Sequence, residues 1–97
     1  MADGGANKEI VVITIMGKDR PGIVAGISAV LAKNDVNIED ISQTVVGGIF
    51  TMILLADVKR SKVPLEELRR RLERRGRSLG MQVLVQHERI FQYMHRV

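Results

Sequence analysis

Apolar residues fall along this 97-residue chain in patterns that change period five times. Residues 9–16 (EIVVITIM) are β-branched and apolar on both alternating sets, Ile10 and Val12 against Val11, Ile13 and Ile15. That is how a central strand covered on both faces reads. After GKDRPG, the period lengthens. Ile23, Ile27, Val30 and Leu31 recur at i, i+4, i+7 and i+8, which places one apolar stripe on a helix. Asp19 is positioned to cap its start, Pro21 tolerates a missing N–H in the first turn, and Asn34 suits a left-handed exit. Residues 36–46 (VNIEDISQTVV) alternate from Ile41 onward and are half apolar, which predicts an edge strand. Gly47-Gly48 is a two-residue hairpin signal.

Residues 49–58 (IFTMILLADV) are again apolar on both faces, predicting a second central strand. Pro64 opens a helix with Leu65, Leu68, Leu72 and Leu79 on one side and Gly80 as its stop. Residues 81–88 (MQVLVQHE) alternate as a last strand. In the tail, Ile90, Met94 and Val97 are spaced for a short helix. The order βαββαβ predicts an α+β, ferredoxin-like sandwich: a four-stranded antiparallel sheet with two helices on one face. Strands one and three are then central. Strand three presents Ile49, Ile53 and Leu55 on one face and Phe50, Met52 and Leu54 on the other. Only one set can meet the helices, so the other needs a cover, from the tail or a second subunit.

Composition narrows the classes. The chain is short enough for one domain, with residues 1–8 read as a disordered leader, 9–88 as the folded unit and 89–97 as a C-terminal tail. A domain of this size buries roughly 60–65 % of its unfolded surface, a modest core that a second copy can extend. The absence of cysteine excludes disulfides, thiolate metal sites and a cysteine nucleophile. No apolar run reaches the ~18 residues of a membrane span, and the leader has no apolar signal core, so a cytoplasmic protein without membrane association is expected.

The net charge of +4 is uneven. Residues 59–77 hold nine of the fifteen Lys and Arg against three glutamates, and RRRLERRGR carries six arginines between Arg69 and Arg77. A nucleic-acid footprint has this appearance, but so does a solvated helix face whose cations suit the helix C-terminus. No stacking aromatics accompany the charge, so nucleic acid is not the expected partner. His87 and His95, the two histidines, match no metal-ligand spacing, and neither metal nor cofactor is expected. Glu39 and Asp40 are neighbours on a strand and point to opposite faces. No catalytic residue stands out, and no enzymatic activity is expected.

The fold hosts many functions, so local motifs must decide. The central strands offer only Phe50 for base stacking, and GKDRPG lacks the glycines and amides that wrap a phosphate. What remains is GKDRPGIV after strand one, with VNI opening strand two. Together, Asp19-Arg20-Pro21-Gly22-Ile23 and Val36-Asn37-Ile38 resemble the ACT domain, a small regulatory module that binds amino acids, over about residues 9–88. With its F-x-x-M-H-R ending (Phe91, Met94, His95, Arg96), the chain is similar to stand-alone microbial ACT proteins akin to the ACT modules of glycine-cleavage regulators. The resemblance implies a homodimer that binds an amino acid or similar metabolite and modulates a protein partner. It implies Gly22, Ile23, Asn37 and Ile38 as ligand contacts, joined by Asp19 and Arg20. Gly22 at a helix start admits a carboxylate close to unpaired N–H groups, and Asn37 offers both a donor and an acceptor. The same residues also make a good turn and strand entry, which leaves a ligand-free dimerisation module and a basic nucleic-acid-associated regulator as alternatives.

Overall fold

The computed structural model describes residues 8–89. Along them run β1 (Ile10–Lys18), α1 (Ile23–Lys33), β2 (Asn37–Val46), β3 (Ile49–Asp57), α2 (Leu65–Ser78) and β4 (Met81–His87). The four strands form one antiparallel sheet in the order β2-β3-β1-β4, so the two doubly apolar strands are the central ones, as their patterns required. The expected tail helix lies outside the described residues, as does all but the last residue of the expected leader.

One face of the sheet meets the helices. Val11, Ile13 and Ile15 of β1, Phe50, Met52, Leu54 and Ala56 of β3, and Met81 and Val85 of β4 close against Ile23, Ile27 and Leu31 of α1 and Leu68 and Leu72 of α2. The Phe50 set of β3 is therefore the one the helices cover. The other face leaves Met16, Ile49, Ile53 and Leu84 exposed. Each fully buried aliphatic side chain contributes roughly 1.5–3 kcal/mol, and this cluster is what offsets the chain entropy lost on folding.

Glycines let the layers approach. A Cβ on Gly76 would stand 2.4 Å from Val83 Cγ2, so α2 lies directly on β4 at that point. A Cβ on Gly17 would meet the Gly80 carbonyl oxygen at 2.5 Å. This close contact accompanies an extension of β1 beyond Met16, with Gly17 and Lys18 paired to Phe50 and Ile49.

Two expected helix caps are corrected. Asp19 does not cap α1: its backbone N–H donates to the Gly48 carbonyl at 2.9 Å and ties the loop to the β2–β3 hairpin. Gly22 is the N-cap residue instead, at φ = 88°, with no side-chain cap. Asn34 does not take the left-handed exit. Its φ is −105°, and Asp35 makes the turn at φ = 60°. The Asn34 side chain is held otherwise, its Nδ2 donating to the Val30 carbonyl at 2.8 Å and its Oδ1 accepting from Arg71. Asn34 is 2 % exposed and is the buried polar residue among those described. The Gly47-Gly48 hairpin is as expected, both residues having positive φ. A bulge between Ile38 and Asp40 explains why the β2 alternation is regular only from Ile41.

Candidate functional site

The β1–α1 loop forms because β1 ends at Lys18 and Pro21 blocks further pairing, while Gly22 alone accepts the left-handed angle that turns the chain into α1 at little steric cost. The first intrahelical bond runs from Gly26 N–H to the Gly22 carbonyl at 2.9 Å. The N–H groups ahead of it have no intrahelical acceptor, and the positive end of the helix dipole lies there. Nothing stands within 4 Å of where a Cβ on Gly22 would be, so this patch of backbone is open. Lys18, Asp19 and Arg20 line a shallow recess of about 330 Å³ with Leu79 and Gly80. Ile23 is 2 % exposed, its side chain in the core, so what it can offer a ligand is its backbone.

Asn37 opens β2 and is exposed. Its Nδ2 donates to Glu39 Oε2 at 2.6 Å, and the other Glu39 oxygen forms an ion pair with Lys8. The hydrogen bonds from Lys8 and from Asn37, in that order, hold the Glu39 carboxyl below its ordinary range. With Nδ2 engaged, the Asn37 Oδ1 is left as the acceptor. Ile38 is half-buried against the helix-side core. A recess of about 480 Å³ beside Asn37 is lined by Ala32, Asp35, Val36 and Arg60.

These two groups of residues do not meet within one chain. Asn37 pairs with Asp57, which pairs with Ile10 at the start of β1, whereas the loop follows Lys18 at the far end. The eight-residue rise along β1 separates them by roughly 27 Å. The ACT resemblance implies a site often completed across a dimer interface, and so does not require the two groups to meet in one chain. The separation was legible in the chain order, because one helix, α1, carries the chain from the loop back to Asn37.

β2 itself is the other feature here. Nine of its ten residues are exposed, all but Ile38, so this long edge strand has its outer hydrogen-bonding row open. On its helix-side face Ile41 is 41 % and Val45 51 % exposed.

The remaining candidates resolve locally. His87 Nδ1 accepts from the Arg89 N–H at 3.2 Å. His95 lies outside the described residues. Asp40 Oδ1 accepts from the Ile41 N–H, so Glu39 and Asp40 serve separate contacts. Among the described residues, no three acidic or histidine side chains are placed to hold a metal. No described helix is long and apolar enough to cross a membrane.

A family model described as the ACT domain matches residues 9–86. A UPF0237 protein of Methanocaldococcus jannaschii is 55 % identical over 87 residues, covering 90 % of this chain and 97 % of its own. The structure of an ACT domain protein from Streptococcus pneumoniae superposes with a TM-score of 0.76 at 38 % identity, over 89 % of this chain and 97 % of that one. A putative glycine cleavage system transcriptional repressor gives a TM-score of 0.69 at 25 % identity, over 81 % of this chain and 45 % of its own.

Proposed function

Because this chain belongs to the ACT-domain family and its relatives are UPF0237 proteins, we propose that it is a regulatory module in which two copies pair through β2 and hold a small amino acid between them. The observation that carries the reading is the separation of the loop from Asn37 within one chain, together with the open edge of β2. Antiparallel pairing of β2 with its copy sets each Asn37 opposite the Val46 end of the other strand. That end runs into the hairpin whose Gly48 carbonyl holds Asp19. Each Asn37 thus comes to the residue 19–22 loop of the second copy, and two equivalent sites form. Ile41 and Val45 are covered by the same step.

The chemistry suits an α-amino acid. Its carboxylate meets the open N–H groups after Gly22 and the positive end of α1. Its ammonium donates to Asn37 Oδ1, the atom left free when Nδ2 engages Glu39. A ligand spanning both copies stabilises the pair by its greater affinity for it, and a protein partner that reads the dimer receives the signal.

Thermal unfolding with each of the twenty amino acids in turn tests this. At one hundred times its dissociation constant the ligand adds about 2.7 kcal/mol, several degrees for a domain of this size. The expected result is a selective rise that disappears in Asn37→Ala. No rise with any amino acid would leave the dimer without this ligand and favour a purely structural pairing module.

A further inference from the structure

We propose that the seam between α1 and α2 is a second binding site, for a small molecule that carries two or more linked phosphate groups. The seam is a groove of about 530 Å³ lined by Val30, Lys33 and Asn34 of α1 and by Glu67, Arg71, Arg74, Arg75 and Ser78 of α2. The α2 residues recur at +4, +7, +8 and +11 from Glu67. They form one stripe of the helix turned toward α1, beside the Leu68, Leu72 and Gly76 stripe that faces the sheet. Four cations therefore converge on one groove against a single carboxylate.

Two of those cations are fixed in place. Arg71 donates from Nε to Glu67 Oε2 at 2.9 Å and from its guanidinium to Asn34 Oδ1 at 2.8 Å, across the seam. The acceptor is the buried Asn34 amide, itself anchored to the Val30 carbonyl. Arg75 donates to Ser78 Oγ at 2.9 Å and lies against α1, where a Cβ on Gly26 would stand 3.1 Å from its Nε. Both guanidinium groups keep further N–H donors, and a planar fork held in this way meets phosphate oxygens in pairs. Lys33 and Arg74 make no ion pair among the described residues and flank the groove. Arginines at i, i+3 and i+4 repel one another, and a multivalent anion relieves that cost.

The lining also limits the ligand class. It contains no aromatic side chain, so nothing stacks on a base, and Val30 is its one apolar residue. An amino acid brings one carboxylate to four cations and is poorly matched, which separates this site from the one at Gly22. A simple solvated helix face does not account for Arg71, whose guanidinium is held by a buried group of the opposite helix.

Calorimetric titration of the full chain with inorganic pyrophosphate at 150 mM salt is the test. Expected is a saturable site weakened at least about tenfold by Arg74→Glu and by Lys33→Glu, and less than about twofold by Lys59→Glu, a change of equal charge off the seam. Arg74 and Lys33 are exposed, and unchanged melting curves confirm that the variants fold. The proposal is overturned by the absence of a saturable site, by equal weakening in Lys59→Glu, or by a duplex oligonucleotide that binds more tightly than pyrophosphate with a steep salt dependence.

Discussion

Gly76 shows how much one hydrogen atom decides. Its missing Cβ is what lets α2 rest on β4, since the next atom, Val83 Cγ2, lies 2.4 Å from where that carbon would be. Gly76→Ala is expected to cost about 1–3 kcal/mol in denaturant unfolding, despite the better helix propensity of alanine. A gain in stability would mean that the layers are less tightly packed at this point than the contact implies. Such packing is not legible in the sequence, where Gly76 reads only as a weak spot in a helix. Gly22 was legible as a special position, because the surrounding D-R-P-G-I announces a turn. Asn34 was read in part. Its place at the end of α1 was evident, but its bond to Arg71, thirty-seven positions on, depends on how two helices dock.

Period was the reliable signal at the scale of the elements. Both central strands and both helices were legible because each apolar set repeats over eight or more positions, so a boundary error of one or two residues does not change the period. The β2 bulge and the cap of α1 were not legible, since each turns on one residue and on a partner from a distant segment. The charge of α2 is organised by its first turns. Arg71 and then Arg70 hydrogen-bond to Glu67 and hold its carboxyl below the ordinary value of 4.5. A carboxyl so depressed contributes stability that is present above that value and is lost as pH falls through the lower, folded one. The decline of stability below pH 4.5 is therefore expected to be shallower in Glu67→Gln than in the parent, as thermal unfolding across an acid series would record. Matching slopes would mean that the ion pairs are broken by solvent and salt at this half-buried position.

For the whole molecule, a helix-covered sheet face accounts for folding, and the open edge of β2 is where the proposed pairing would take place. The need for a cover was legible in the doubly apolar third strand. Which surface takes a partner was not, because both the outer sheet face and β2 carry apolar residues, and exposure is settled only when the helices are placed. Pairing through β2 predicts that Ile41→Lys or Val45→Lys gives a monomer in sedimentation equilibrium with the fold intact. A dimer unchanged by both substitutions would move the contact to the face bearing Met16, Ile53 and Leu84. The separation of the loop from Asn37 leads to a stricter demand. If each site takes the loop from one copy and Asn37 from the other, Gly22→Ala and Asn37→Ala each spoil both sites of their own dimer. A mixed dimer carries both lesions in one site and leaves the second intact. The decisive measurement is calorimetric titration of an equimolar, re-equilibrated mixture of the two variants with the amino acid that stabilises the parent. Shared sites predict that the mixture recovers about a quarter of the parent's binding sites at parental affinity, while neither variant alone binds. A mixture as inactive as its components would contradict a site built from two copies.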